Sequence, residues 1–445
     1  MMRIDTVELQ NFKKFDTFEL RLHPRLTLLI GGNGAGKTSV LDALAVALGV
    51  WLVKPPDSTL INSRRGILAS DIRLVPTQAG DRIQFREAEG GVSVKAIGQI
   101  DNQEGLVWEQ HIKPGKKKAT NSAAKDALDV VAQALRRANA DERVLLPVIA
   151  YYGAGRAWLA HNERSKSRGA VNGPARRWAA FYDCLNERIR VADLAEWFRR
   201  EALAAVNRSG RFRAGYEVVR MAVLRCVPGA DAMWFDGDRG EIVLSIGGEA
   251  QPFGNLSAGQ RMMLALVADI AIKAVTQNNF LVVDDGPMTP QGALPDVLAQ
   301  TSGMVLIDEL DVHLHPSWQR RVASDLKSTF PKMQFVCTSH SPQVIGEVLP
   351  DEIRQLDELA AGHPPDQSFG LDSNAILEDL MGVESRNRSG AAAIEAVEEV
   401  LEIGDLDAAR RMLDELKRLQ RGTTRDSARL EATINNLEVL TNENH

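Results

Sequence analysis

Gly31-Gly32-Asn33-Gly34-Ala35-Gly36-Lys37-Thr38 has the form GxxxxGK[ST], and it sits between the apolar run of residues 26–30 and an apolar, helix-like segment over residues 39–48. A strand, a glycine-rich turn and a helix N-terminus in that order make a phosphate cradle. Glycines let the backbone come close, its N–H groups surround the anion, and the helix dipole favours negative charge. On this reading Gly31, Asn33, Gly34, Ala35 and Gly36 line the cradle and Ser39 lies just inside the helix. Lys37 reaches the terminal phosphates and Thr38 holds Mg²⁺. The ligand expected from this loop is a nucleoside triphosphate with Mg²⁺.

The chain has 445 residues, 25% of them charged and 44% hydrophobic, an ordinary balance for a globular protein with two or three domains. No apolar stretch approaches the ~20 residues of a membrane span, so no membrane association is expected. The charged, alternating start Met1-Met2-Arg3-Ile4-Asp5 does not resemble a signal peptide. Cys184, Cys226 and Cys337 are far apart and form no CxxC pair. They read as reduced thiols of a cytoplasmic protein rather than a disulfide frame or zinc site.

Charge is unevenly spread. From Arg156 to Arg225, 14 Arg and one Lys stand against seven carboxylates, a net of +8. From Asp351 to His445, 10 basic residues stand against 21 acidic ones, a net of −11. A basic middle and an acidic end fit different partners on different faces, or simply solvated helix surfaces.

Alternating apolar positions predict strands over residues 2–10 and 18–22, with four short strand-like runs between residues 72 and 111. Residues 145–151 read as a buried strand ending in Gly153-Ala154-Gly155-Arg156. Helices are expected over residues 174–190, 192–207 and 215–227, then a β-hairpin from residues 232–235 and 241–246. No heptad repeat marks a coiled-coil arm between residues 39 and 250. Three further helices are expected over residues 391–403, 406–420 and 424–440, after a linker near residues 385–390.

Leu256-Ser257-Ala258-Gly259-Gln260 opens an apolar helix, with Ser257 as its N-cap and exposed N–H groups offering a second anion site. Further on, Met304-Val305-Leu306-Ile307-Asp308-Glu309 is an apolar run closed by two carboxylates. Such a run fits a buried parallel strand, whose carboxyl end is where α/β sheets bind ligands. Asp308 would orient Mg²⁺, and Glu309 would be the general base that polarises the attacking water. A similar run, Phe280-Leu281-Val282-Val283-Asp284-Asp285, is set aside because no Asp-Glu pair closes it and Gly286-Pro287 breaks the chain. A third buried strand runs from Gln334 and ends in His340, within Gln334-Phe335-Val336-Cys337-Thr338-Ser339-His340-Ser341-Pro342. Between the last two, Asp311-Val312-His313-Leu314-His315-Pro316 could bind metal or form a contact loop.

The set GGNGAGKTS, YYGAGR, NLSAGQ, LIDELDVHLHPSWQ and TSHSPQ resembles the stand-alone SMC/RecF-like, ABC-type ATPases of bacteria, including those of Septu, retron and OLD systems. The resemblance runs from residue 1 to about residue 383. It implies an α/β P-loop NTPase of ABC/SMC-head type with an inserted lobe and a C-terminal helical extension. The expected division is an ATPase lobe over residues 1–50, an antiparallel-β and helical insertion over 51–250, a second ATPase lobe over 251–384, and helices over 391–445. LSAGQ is similar to the LSGGQ signature, which closes over the γ-phosphate held by another subunit, so Ser257, Gly259 and Gln260 would serve a partner's ATP. By the same resemblance His340 is the switch histidine touching the γ-phosphate, and residues 311–316 are a dimer-contacting loop. Lys13 or Lys14 corresponds to a basic residue near the nucleotide. The glutamine that usually follows the strand at residues 145–151 is missing, which leaves Arg156, nearby backbone or a distant residue for its role.

The resemblance implies a homodimer or higher even-numbered oligomer, controlling an effector such as an HNH nuclease in anti-phage defence. OLD proteins carry a Toprim nuclease after the head, and the 95 residues past Pro350 are too few for one, so a partner would do the cutting. Nucleic acid would meet the basic stretch from Arg156 to Arg225. The alternative is a RecF-like repair ATPase acting directly on DNA. A transporter subunit is disfavoured by the long gap from phosphate loop to signature and by the LHPSWQ and TSHSP segments.

Overall fold

The computed structural model describes residues 2–54, 64–79, 82–116, 118–121, 124–140, 142–157, 177–283, 286, 288–356 and 362–443, within two compact units, Met1–Ile376 and Leu377–His445. The first unit is organised by a five-stranded sheet in the order Ile353–Gln355, Leu26–Ile30, Met333–Thr338, Gly303–Ile307, Val148–Tyr152. Every pairing in it is parallel. Four of these strands are buried along their whole length, which is why they read as unbroken apolar runs. Because the strands are parallel, the segments after Ile30, Ile307 and Thr338 all leave by the same edge of the sheet.

An antiparallel sheet, ordered Phe15–Arg21, Met2–Phe12, Val92–Ile100, Gln103–Ile112, lies in the same unit. The strand Met2–Phe12 buries Ile4, Val7 and Leu9 into a core shared with Val40, Leu41 and Leu44 of the helix Lys37–Leu48. That helix is buried at ten of twelve positions, so it is apolar on all sides and not only along one stripe. Gln334 ties the two sheets together: Ile4 N donates to its Oε1 (3.0 Å) and its Nε2 donates to Ile4 O (2.8 Å).

Two helix expectations need correction. Residues 174–176 lie outside the described residues, Arg177–Phe181 forms a 3₁₀ turn, and residues 182–190 are turns rather than helix. The cause is the edge of the parallel sheet. Tyr151 N donates to Cys184 O and Gly153 N to Glu187 O, both at 2.9 Å, so the segment lends its carbonyls to the outermost strand instead of to itself. Conversely, Lys125–Asn139 is a helix that the sequence reading did not name. Ala127, Val131, Ala134, Leu135 and Ala138 form its buried stripe, a 3.6-residue period present in the sequence.

The expected hairpin is a three-stranded meander, Ala230–Asp236, Glu241–Ile246 and Glu249–Pro252. The run set aside at residues 280–283 is not a strand: Asn279–Leu281 makes a 3₁₀ turn, and Asp284 and Asp285 lie outside the described residues.

In the second unit, helices Arg388–Ile403, Leu406–Gln420 and Arg425–Glu443 enclose Ile394, Val397, Leu413, Leu416, Leu430 and Ile434. Asn387 and Asp405 cap the first two through Gly390 N (2.6 Å) and Ala408 N (2.9 Å). Gly404, at φ +86°, makes the tight link between them, a conformation other residues adopt only with strain.

Candidate functional site

Lys37 Nζ donates to Gly31 O and Gly32 O, both at 2.9 Å, and the residue is only 8% exposed. Burial pulls its ammonium below the usual lysine range, while Asp308 and Glu309 pull the other way. Both carboxylates therefore lie within electrostatic reach of the loop lysine. The loop admits no side chain at its ends. A Cβ on Gly36 (φ +100°) would come within 2.5 Å of the Phe15 ring, and one on Gly31 (φ +143°) within 2.3 Å of Leu356 O.

Of the two lysines left open by the sequence, Lys14 is the one at the loop, donating to Gly34 O at 2.8 Å. Lys13 turns to Asp42, with Asp71 at 3.9 Å.

The carboxylate pair is held from one helix and two strands. Thr38 Oγ1 donates to Asp308 Oδ2 (3.0 Å), and Thr338 Oγ1 donates to Asp308 Oδ1 (2.6 Å). Asp308 N donates to Tyr152 O (2.8 Å). Thr338 Oγ1 also accepts from Glu309 N (2.7 Å), and Thr338 O accepts from Leu310 N (2.8 Å). Glu309 itself sits at φ +50°, a left-handed conformation that costs a non-glycine residue on the order of 1 kcal/mol or more. The Thr338 bonds hold the sharp turn that brings the chain from one carboxylate to the next. His340 is half-buried two residues past the end of this strand. Its neighbours fix it: Ser339 Oγ donates to Asp311 Oδ1 (2.5 Å), and Ser341 caps the short helix Pro342–Ile345.

Thr338 escaped the sequence reading, although it is the last residue of the strand before His340. Replacing it with valine keeps the shape but removes the donor to Asp308 and strands a backbone N–H, worth about 1–3 kcal/mol. Thr338→Val is expected to lower kcat about tenfold with ATP affinity retained, and Thr338→Ser to recover most of it. Phosphate release alongside nucleotide titration would check this.

Asp42 was also missed. It is buried in an otherwise apolar helix, one turn past Thr38, and receives Lys13, Arg65 Nη2 (2.7 Å) and the Tyr151 hydroxyl (3.4 Å). A lone carboxylate in the run Ser39-Val40-Leu41-Asp42-Ala43-Leu44 was the available signal.

Ser257 caps the helix Ala258–Gln277 in a reciprocal box: its Oγ accepts from Gln260 N (3.3 Å) and its N donates to Gln260 Oε1 (2.8 Å). Ser257 and Ala258 are exposed, whereas Gly259 is buried. A Cβ at Gly259 would lie 2.5 Å from His313 O. Hence a methyl group is tolerated at position 258 and not at 259. No hydrogen bond or ion pair among the described residues joins Ser257 to residues 31–38. His315 caps the helix Pro316–Thr329, its Nδ1 accepting from Ser317 N (3.3 Å).

No glutamine stands near Tyr152 in the chain, and the side chain of Arg156 lies outside the described residues. Residues 158–176 of the basic stretch do so as well. Much of the rest is turned to internal use. Arg190, Arg199, Arg213 and Arg220 pair with Asp183, Glu196, Glu201 and Glu217, while Arg177 and Arg225 bind backbone carbonyls.

A family model described as an AAA domain matches residues 6–203. A second AAA domain model, whose description also refers to AbiEii toxin and a Type IV TA system, matches residues 246–346. The chain is 33% identical over 186 residues to the Retron Vc95 probable ATPase of Vibrio cholerae serotype O1 biovar El Tor, covering 40% of this chain and 33% of that one. It is 24% identical over 371 residues to the Septu protein PtuA of Bacillus mycoides, covering 80% of this chain and 40% of the relative. It thus spans only a third to two fifths of the length of these curated relatives. A solved SMC head bound to the C-winged helix domain of ScpA aligns over 85% of this chain and 99% of its own, at 14% identity and TM-score 0.47. With its phosphate loop, carboxylate strand and capped signature in place, the chain resembles the Septu protein PtuA and the retron ATPases and is matched by two AAA domain models.

Proposed function

We propose that this chain hydrolyses ATP at composite sites in a head-to-tail dimer, and that closure and opening of the dimer control a partner effector in anti-phage defence. The observation that carries the reading is the division of the site. Lys37, Thr38, Asp308 and Glu309 converge within one chain, while Ser257 is exposed and linked to none of the loop residues. A capped helix N-terminus open to solvent suits a phosphate that another copy presents.

Thr38 Oγ1 and Asp308 Oδ2 are adjacent hard oxygen donors, the set that would hold Mg²⁺. When bound, the ion neutralises charge on the β- and γ-phosphates. Lys37 would bind the terminal phosphates, Glu309 would take a proton from the attacking water, and His340 would report the γ-phosphate to the segment after its strand. Retron and Septu systems supply the class of biological role, with a nuclease such as an HNH enzyme as the effector. The internal pairing of so many arginines between residues 177 and 225 favours this role over direct, RecF-like action on DNA.

Complementation tests the composite site. Lys37→Ala and Ser257→Arg chains should each be inactive alone. Mixed in equal amounts, they should regain about a quarter of the parent rate, since half the dimers are mixed and each has one intact site. No recovery in mixtures shown to exchange subunits would sink the head-to-tail arrangement.

A further inference from the structure

The strand Val148–Tyr152 ends in two tyrosines, both buried. Neighbouring strand residues point to opposite faces of a sheet. Tyr151 shares the core of the helix Lys37–Leu48, where its hydroxyl meets Asp42. Tyr152 faces the other side, and its hydroxyl donates to Asp269 Oδ2 at 2.6 Å. Asp269 belongs to the signature helix Ala258–Gln277, and Lys273, one turn later, pairs with the same carboxylate oxygen. A hydroxyl this close to a carboxylate is among the stronger hydrogen bonds in proteins.

The rest of the helix surface could not do what this bond does. Met262 to Ala268 are all buried and apolar. Apolar contact is non-directional, so it holds a helix down without fixing its rotation or its slide. Directional contacts set those, and Tyr152 supplies one in the middle of the helix, beyond the point where Gly259 is seated against His313 O. At 1.5 Å per residue, Asp269 lies about 18 Å along the axis from Ser257, so a small change of angle at the carboxylate becomes a larger displacement of the serine. Tyr152 also touches the nucleotide site of its own chain, because its backbone O accepts from Asp308 N at 2.8 Å. One residue thus reaches the signature helix with its hydroxyl and the carboxylate strand with its carbonyl.

We propose that Tyr152 is a positioning residue for hydrolysis, whose hydroxyl acts through Asp269 to aim Ser257 at the ATP of a second copy. The proposal rests on the head-to-tail reading, in which the signature of one chain serves the phosphate loop of the other. It assigns the hydroxyl to the neighbouring chain's reaction and leaves only the carbonyl to its own.

Tyr152→Phe tests this in the full chain. It removes the hydroxyl, keeps the ring and the carbonyl, and leaves Asp269 paired with Lys273. Loss of one hydrogen bond to a charged group predicts turnover about tenfold lower, with a fluorescent ATP analogue bound within about twofold of the parent affinity. The mixture of Lys37→Ala and Ser257→Arg chains then tells where the hydroxyl acts. Its one working site takes the phosphate loop from the Ser257→Arg chain and the signature from the Lys37→Ala chain. Tyr152→Phe added to the Lys37→Ala chain should lower the regained rate about tenfold, whereas added to the Ser257→Arg chain it should lower it by less than about twofold. A loss that follows the loop-bearing chain, an equal loss in both placements, or no loss in either would overturn the proposal. In each of those cases the rate regained by the mixture without Tyr152→Phe keeps the head-to-tail reading standing. No regained rate in that mixture would overturn both.

Discussion

Glu309→Gln is expected to bind ATP within about threefold of the parent affinity and to lose at least about a hundredfold in turnover. A positioned general base contributes on the order of 10²–10⁴ to rate, and glutamine keeps the size of glutamate while giving up the ability to take a proton. Nothing else at the site should move. The backbone of residue 309 is held by Thr338 Oγ1. The partner carboxylate, Asp308, is fixed independently by Thr38 and Thr338. The two quantities should therefore separate cleanly: titration with a fluorescent nucleotide reports affinity, and single-turnover phosphate release reports chemistry. Turnover near the parent rate would show that another group activates the water.

Lys37→Ala should have the opposite profile, weakening ATP binding on the order of a hundredfold. Removing one partner of a buried, hydrogen-bonded charge pair costs about 2–5 kcal/mol, and each 1.4 kcal/mol is tenfold in affinity. Lys37 leans on two loop carbonyls and is disfavoured as a cation by burial. A triphosphate relieves that state, so binding is where its loss must appear. Thermal unfolding separates this from misfolding. Parent and variant should melt within a few degrees of each other without ligand, and only the parent should gain stability when ATP and Mg²⁺ are added. A variant that is stabilised by ATP as much as the parent would contradict the assigned role.

Much of this site could be read before the fold was known, for a physical reason. Buried parallel strands need apolar runs, and the residues that end them are few and polar, so Gly31 to Thr38, Asp308-Glu309 and His340 stand out against their flanks. The capped signature helix is marked in the same way by Ser257 and Gln260. What stayed hidden were residues whose role depends on a partner far away in sequence. Thr338 looks like one more strand residue until Asp308 is placed beside it, and Asp42 looks like an isolated defect until Lys13, Arg65 and Tyr151 surround it. The failed helix over residues 182–190 has the same origin, since its local preference gave way to the unpaired edge of the Val148–Tyr152 strand. Charge counting decided least. A net of +8 says nothing about how many arginines already have a carboxylate at hand.

The close seating of Gly259 under the carbonyl of His313 leaves no slack between the signature helix and the loop that follows Glu309. On the head-to-tail proposal, a chain built this way would work as a rocker. Where its serine attends one nucleotide and its glutamate another, any tilt that brings the first into place also shifts the second. The two ATP molecules of a pair would then share a clock, and the effector would receive one signal where independent sites would send two.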